Sequence, residues 1–230
     1  FMFREIPMGR VGFRAVDAAF ILCLLALAFL IRWQLMPIES ADYFGFLEGW
    51  MEQIRSGGGF SSLGHEISNY STPYMVLMCL VSYLTDNDLY GLKLHSVAFD
   101  YLGSAAMFLI VYELSGNVRK AVLGMAAVLI SPTVILDGAY WCQCDMIYTS
   151  FLLLAFYFFL KNNSSYCLLF VGISFAFKLQ AVFFLPFLLI MWLKERTVRL
   201  RDFLWIPVAY VVGALPAWAA GRSLKEVLWV

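Results

Sequence analysis

The chain has 230 residues, of which 62% are hydrophobic and 14% are charged, and its formal net charge is zero. A soluble globular domain is about half apolar and about a quarter charged, so this composition excludes an ordinary soluble protein and indicates a helical integral membrane protein. The balanced charge gives no support to a nucleic-acid partner, and membrane lipids are the expected surroundings.

Seven apolar stretches predict membrane spans, so we expect an all-α, polytopic transmembrane helical bundle. A span needs about 20 apolar residues. The first stretch, at about 14–36, lacks the features of a cleaved signal peptide and is interpreted as a retained span. A later stretch is interrupted at Lys178, where we expect two shorter helices to meet. The crossings predicted after the first are 89–114, 121–136, 146–160, the two helices within 166–193, and 203–219.

Basic residues fix the orientation of these spans, because loops that carry Lys and Arg tend to stay in the cytoplasm. Nearly all carboxylates then lie on the other side of the membrane. We expect residues 1–230 to form one transmembrane catalytic module with 37–90 as its extracytoplasmic loop. Since the chain begins without a Met and stops within an apolar pattern, we expect it to be the N-terminal part of a longer protein. Ten of the sixteen basic residues are placed in the cytoplasm: Arg4, Arg10, Arg14, Arg119, Lys120, Lys161, Lys194, Arg196, Arg199 and Arg201.

The extracytoplasmic loop is the polar segment where water-requiring chemistry can occur. Apolar residues recur at helical spacing from 41 to 55, which predicts an interfacial amphipathic helix that ends at the glycines 57–59. Asp42 lies in its first turn and is the leading candidate for a catalytic residue. The alternative is that Ser40 caps this helix and Asp42 only complements the helix dipole. A second apolar stretch, 73–84, is about 18 Å long as a helix, too short to cross, and is expected at the outer interface.

Two further polar stretches interrupt the apolar runs. The loop 137–145 lies between two predicted spans and carries Gln143 and Asp145, although such a turn is also typical of a plain interfacial anchor. Lys178 lies inside an apolar run of about 28 residues, and a charge in that position is by default a functional hypothesis. The alternative for Lys178 is a side chain that snorkels outward or pairs with Asp100.

Together, four stretches resemble the polytopic GT-C glycosyltransferases, which take a sugar from a polyprenyl-phosphate carrier. They are most similar to bacterial relatives of the second mannosyltransferase of GPI-anchor assembly. The resemblance covers essentially the whole chain, in the expected order. The stretches that carry it are 40–43 (SADY), 68–74 (SNYSTPY), 139–145 (AYWCQCD) and 175–180 (FAFKLQ).

The resemblance implies an inverting hexosyl transfer to a lipid-linked or surface glycan on the non-cytoplasmic face. The implied membrane is the bacterial plasma membrane, with the lumen of the endoplasmic reticulum as the alternative. Asp42 matches the family's acid near the acceptor hydroxyl. The chain departs from the pattern at Cys142, where the family often has Gly, and at Glu39, which precedes Asp42 by three positions instead of lying next to it. A divalent cation, Mg²⁺ or Mn²⁺, is therefore left open.

The residues support a division of roles. We expect Asp42 to accept the proton of an acceptor hydroxyl, and Lys178, with Gln180, to offset the charge of a leaving lipid phosphate. Cys142 and Cys144 lack further Cys or His at metal spacing, so neither a metal site nor a strained disulfide is well supported. The residues expected to position the sugar or acceptor, or to stack against them, are Asp145, Gln143, Tyr70, Tyr140, Trp141, His65 and Lys93.

Two other functions stay open from the sequence. A membrane transporter or lipid flippase would place Lys178 and Asp100 on a substrate path through the bilayer. A non-catalytic membrane subunit would only hold partner proteins. Consumption of a polyprenyl-phosphate sugar by the purified protein separates the enzyme from both alternatives.

Overall fold

The computed structural model describes residues 14–195 and 199–228. In this part of the chain every regular element is helical and no strand occurs, so the predicted all-α class is confirmed. Several of the helices could cross a membrane, in keeping with a multi-pass protein. Three residues of the predicted cytoplasmic set, Arg4, Arg10 and Arg196, lie outside the described residues.

The described residues form eleven α-helices with short π-helical and 3₁₀-helical turns between some of them. In chain order the α-helices are α1 (Ala15–Leu35), α2 (Glu48–Ser56), α3 (Thr72–Leu84), α4 (Asp88–Ser115), α5 (Val118–Leu129), α6 (Pro132–Ile135), α7 (Asp145–Leu160), α8 (Ser164–Phe177), α9 (Leu185–Glu195), α10 (Trp205–Ala219) and α11 (Leu224–Leu228). The π-helical turns are Tyr43–Leu47 and Leu136–Tyr140, and the 3₁₀ turns are Gly59–Gly64, Leu179–Phe184 and Leu200–Leu204.

Three helical segments are long and apolar enough to span a membrane, namely α1, α4 and Leu200–Ala219. A fourth span results if Val118–Leu129 and Pro132–Tyr140, which are bent by 49°, count as one broken helix. The other predicted crossings form α7, α8 and α9, with 16, 14 and 11 residues. These helices are shorter than the about 20 residues that a bilayer requires. By length and composition the described residues therefore support three or four spans, and the predicted seven are not confirmed.

Local signals in the sequence set several helix ends as predicted. The amphipathic helix forms as a π-helical turn followed by α2, which ends at Ser56 beside Gly57. The predicted break at Lys178 is confirmed, because α8 ends at Phe177 and Lys178 is extended, with φ −152° and ψ 128°. The stretch around 73–84 forms α3, which has 13 residues and is too short to cross.

α4 is the central helix of the bundle. It packs against α5 and α7, while α7 packs against α8 and α8 against α10. The contact between α8 and α10 depends on Gly172, because a Cβ there would lie 2.8 Å from Ile206 Cα and 2.9 Å from Trp205 O. Small residues permit such close backbone approach between helices in membranes.

The segment before α4 is packed into the bundle instead of lying loosely on it. Its helices bury apolar side chains in one cluster with Leu92 of α4, and each of the following side chains has no exposed surface: Met51, Ile54, Met78 and Cys79. Arg55 closes this arrangement at the polar end. Its guanidinium donates to Ser82 O at 3.0 Å, to Thr85 O at 2.5 Å and to Asp88 Oδ1 at 2.5 Å, so α2 is tied to the turn between α3 and α4.

A buried ion pair joins α1 to α4. Arg32 Nε donates to Asp100 Oδ2 at 2.8 Å, and neither side chain has exposed surface. Arg32 Nη1 also donates to Ala28 O at 3.1 Å and to Leu129 O, at the end of α5, at 3.0 Å. Since Asp100 pairs with Arg32, the alternative pairing of Lys178 with Asp100 is wrong.

Removing one partner of this pair should destabilise the protein strongly. We expect Arg32→Met to lower the free energy of unfolding by about 3–5 kcal/mol, because Asp100 would be left buried without its partner. The double variant Arg32→Met, Asp100→Leu should recover much of that loss, since no charge is then buried. Denaturant unfolding of the purified protein in detergent micelles measures both effects.

Lys161→Met is the matched control for Arg32→Met. It also removes the cation of an ion pair, since Lys161 Nζ lies 3.2 Å from Glu113 Oε2, but these side chains are 45% and 35% exposed. We expect a cost of at most about 1 kcal/mol for this pair. Equal losses in the two single variants would contradict a special role for the buried pair.

Candidate functional site

Four separate segments of the chain meet at one end of α7 and α8. Two serine hydroxyls hold them together, because Ser40 Oγ donates to Trp141 O and Ser71 Oγ donates to Phe177 O, both at 2.7 Å. Ser40 Oγ also accepts a hydrogen bond from Tyr43 N at 3.2 Å and caps the following helical turn, as the structural alternative for this segment expects. The segments after α1, before α3, before α7 and after α8 therefore lie side by side.

Gln143 bridges two of the predicted site residues. Its Nε2 donates to Asp42 Oδ2 at 2.5 Å, and its Oε1 accepts from the Tyr70 hydroxyl at 3.2 Å. Burial raises the pKa of Tyr70 above its ordinary value, so its hydroxyl stays a neutral donor. All three side chains are partly exposed, which leaves them accessible to a ligand.

Lys178 and Asp145 form an ion pair next to this bridge. The Lys178 side chain is 19% exposed and that of Asp145 is 45% exposed. Lys178 Nζ lies 5.8 Å from the ring centroids of Tyr70 and Tyr148, a distance at which an aromatic face attracts a cation. Tyr70 thus contacts both the amide bridge and the ion pair, and the predicted base, amide, aromatic, acid and cation form one continuous polar cluster.

An unusual backbone turn aims Gln143 into the cluster. Cys142 adopts φ 63°, in the left-handed region that favours glycine, and a residue with a Cβ pays about 1–2 kcal/mol to be there. The turn is held by hydrogen bonds from Trp141 N to Leu136 O at 2.8 Å and from Gln143 N to Asp137 O at 2.9 Å. The backbone therefore accepts strain at the residue that directly precedes Gln143.

The two thiols of this loop are buried and free. Burial raises the pKa of Cys142 and of Cys144 to about 12, so both stay protonated and are poor nucleophiles at neutral pH. Within residues 14–195 and 199–228 no three His, Cys, Asp or Glu side chains lie close enough to hold a metal ion. The described side chains at the site thus provide no clustered donor set for Mg²⁺ or Mn²⁺.

Lys93 has a position different from the rest of the predicted site. Its side chain has no exposed surface, and Nζ donates to Leu35 O at 3.0 Å and to Ile38 O at 2.5 Å. Its ammonium therefore satisfies carbonyl groups at the end of α1. In this structure Lys93 holds α1 against α4, and a substrate contact for it stays a prediction.

The remaining predicted residues lie around the cluster. Tyr140 and Trp141 form an edge-to-face pair with ring centroids 5.7 Å apart, and Trp141 is 43% exposed. Gln180 is exposed in the 3₁₀ turn after Lys178. His65 is exposed and lines a shallow pocket that Tyr70 also borders. Their contacts to a substrate stay predictions.

Two residues of the cluster were missed by the sequence analysis. Tyr148 contacts Lys178, and the signal for it is its position three residues after Asp145, on the same face of α7. Ser71, whose hydroxyl holds Phe177 O, lies directly before α3 and was included only within the stretch 68–74. Neither signal is specific without the fold.

The chain matches no family model, no curated protein and no solved structure. Its function is therefore argued from the geometry of the cluster.

The Lys178–Asp145 pair is not expected to hold the fold together, since the Asp145 carboxylate is 45% exposed. We expect Lys178→Ala to change the free energy of unfolding by at most about 1 kcal/mol, because water can solvate the Asp145 carboxylate once the ammonium is removed. Thermal unfolding in detergent, compared with the native protein, measures the change.

Lys194→Ala, at an exposed position of α9, is the control for this variant. The two variants should unfold within a few degrees of each other. A loss for Lys178→Ala as large as that expected for Arg32→Met would show that Lys178 holds the fold together.

Proposed function

We propose that the protein is an integral membrane glycosyltransferase that moves a hexose from a polyprenyl-phosphate donor to a lipid-linked or surface glycan acceptor. The single observation that supports this best is the polar cluster. It joins a carboxylate, Asp42, through Gln143 and Tyr70 to the cation of Lys178 at one end of the bundle. In a transfer reaction that releases a phosphate, a carboxylate can accept the proton of the attacking hydroxyl, and a cation can bind the leaving phosphate.

Asp42 is proposed as the general base. The amide of Gln143 binds Oδ2, and this leaves Oδ1 for the hydroxyl of the acceptor. In the reaction the acceptor oxygen bonds to the anomeric carbon, its proton passes to Asp42, and the bond from that carbon to the phosphate oxygen breaks. The electron pair of that bond leaves with the polyprenyl phosphate. Because the acceptor attacks the face opposite the phosphate in a single displacement, the anomeric configuration inverts.

Lys178 is proposed to bind the leaving phosphate, with Gln180 beside it. Its present partner Asp145 would be released to water or to a sugar hydroxyl when the phosphate arrives. A cation next to the developing phosphate charge stabilises the transition state most where water is scarce. Gln143 would then contact the sugar or acceptor, with Tyr70, Tyr140 and Trp141 as stacking surfaces.

The membrane placement belongs to the same proposal. The cluster would face the non-cytoplasmic side of a seven-span module, in the bacterial plasma membrane or, as the alternative, on the luminal side of the endoplasmic reticulum. The transporter alternative was based on Lys178 and Asp100, but Asp100 pairs with Arg32 in the interior and Lys178 pairs with Asp145. The structure adds no observation in favour of a shared substrate path.

Asp42→Asn is the sharpest test of this function. The substituted amide can still accept the hydrogen bond from Gln143 but cannot take a proton, so we expect a folded protein that binds donor normally. The rate of transfer should fall by about 10² to 10⁴. The measurement is release of radiolabelled sugar from a polyprenyl-phosphate hexose by purified protein in the presence of membrane-derived acceptors.

Glu39→Gln is the matched control, because Glu39 is an exposed carboxylate three residues before Asp42. It should retain most of the transfer activity. Transfer by Asp42→Asn at close to the native rate would show that Asp42 is only a helix-terminal acid. Asp145 would then be the next candidate for the general base. No consumption of donor by the native protein would contradict the proposed enzyme.

Sidedness tests the membrane path. In a background with the exposed Cys23 replaced by Ser, we expect Asp86→Cys and Trp141→Cys to react with a membrane-impermeant maleimide from the non-cytoplasmic side. Lys161→Cys and Lys194→Cys should react only from the cytoplasmic side. Labelling of positions 86 and 141 from opposite sides would contradict the path.

A further inference from the structure

A shallow pocket lies between the segment before α3 and the end of α10. It is partly open to solvent. It is separate from the Lys178–Asp145 pair, although Tyr70 borders both. Leu63 and Ala217 contribute apolar surface, and the polar side chains that line it are His65, Ser68, Tyr70, Thr72 and Arg222.

Arg222 brings an incompletely compensated charge to this pocket. Only 14% of its side chain is exposed, and its ion-pair partner among the described residues is Glu66, with Nη2 3.7 Å from Oε2. That separation exceeds hydrogen-bond length, and Glu66 is 75% exposed, so the pair contributes little. Most of the Arg222 side chain is packed against the protein while its guanidinium has no close anion, and such a group favours the binding of one.

The start of α3 adds positive potential to the same pocket. Thr72 begins the helix, no described acidic residue lies in its first turn, and no described side chain caps it. The Ser71 hydroxyl donates to Phe177 O and accepts no hydrogen bond from the first turn of α3. A helix N-terminus carries about half a positive charge, and here it supplements the Arg222 guanidinium instead of forming a site alone.

The pocket lies near the end of a candidate membrane span, and this position indicates which anion it binds. Arg222 follows the candidate span Leu200–Ala219 by three residues, and the ends of spans lie at the level of the lipid headgroups. Trp218, at the end of that span, is 51% exposed, as is typical of aromatic residues at the membrane interface. A phospholipid whose phosphate group is bound at Arg222 would place its acyl chains along the exposed side of α10.

We infer that the Arg222 pocket binds the phosphate group of an anionic membrane phospholipid. The guanidinium would bind the phosphate oxygens, with His65 and the hydroxyl of Thr72 as further donors. The site does not depend on the transfer reaction and is separate from the proposed donor site at Lys178. Lipid bound there would fix the segment before α3 to the end of α10.

The test compares two lipids that differ only in the headgroup. The purified chain in neutral detergent is titrated with dioctanoyl phosphatidylglycerol and, separately, with dioctanoylglycerol, and binding is measured by the shift in thermal unfolding. We expect the phosphatidylglycerol to bind and the diacylglycerol to have no comparable effect. Arg222→Gln should weaken binding by about tenfold or more, since a charge-assisted contact is lost. Equal shifts with the two lipids would overturn the inference.

Two further variants distinguish specific binding at Arg222 from non-specific electrostatic attraction between the anionic lipid and basic residues. Arg119→Gln is the matched control, because Arg119 also lies 3.7 Å from a carboxylate, that of Asp17, but is 60% exposed. It should bind the lipid like the native protein. Glu66→Gln should bind more tightly, because the competing carboxylate is removed. If Arg222→Gln does not fold, the absence of tighter binding by Glu66→Gln overturns the inference.

Inorganic phosphate at matched concentration distinguishes the source of the anion. We expect it to shift thermal unfolding far less than the lipid, since it cannot contact the apolar side of α10. Protection by inorganic phosphate equal to that by phosphatidylglycerol would assign the pocket to a free anion and overturn the lipid inference. An equal loss of lipid binding in Arg119→Gln and Arg222→Gln would do the same.

Discussion

The ion pair between Arg32 and Asp100 is the interaction on which the position of the candidate site depends. It fixes the last turns of α1 to the middle of α4, and the same guanidinium holds the end of α5 through Leu129 O. Lys93 adds a second attachment between α4 and the carbonyls at the end of α1. The chain segments that leave α1 and α5 therefore start close together, and this brings Ser40 within hydrogen-bond distance of Trp141 O.

The features predicted correctly from the sequence are those that depend on neighbouring residues. The helical class follows from the apolar fraction. The end of α2 at Gly57 follows from the glycine run, and the cap by Ser40 follows from the preference of serine for helix N-termini. The break at Lys178 follows from the cost of a charge within an apolar helix. Each of these is decided within a few residues, where a single sequence carries enough information.

The features missed are individual contacts between distant residues, although the sequence analysis assigned Asp42, Gln143 and Lys178 to one site. Arg32 and Asp100 are 68 positions apart, and Gln143 and Asp42 are 101 positions apart. No periodicity in the chain selects such partners, so Arg32 was overlooked and Asp100 was given the wrong alternative partner. The predicted count of seven spans is not confirmed for a related reason. Hydropathy measures how apolar a stretch is but not whether its helix continues, and the apolar stretch 121–136 bends at its break before Pro132.

Exposure separates the charges that hold the fold from those available for chemistry. The Arg32–Asp100 pair has no exposed surface, so opening it would leave two charges in a medium that cannot solvate them. Asp145, by contrast, is 45% exposed, and its carboxylate can return to water when Lys178 turns to another anion. In the proposed reaction this ion pair would exchange its anion for the donor phosphate while the interior pair stays closed. The cation that can change partners is also the one in contact with Tyr70, which the Gln143 amide connects to Asp42.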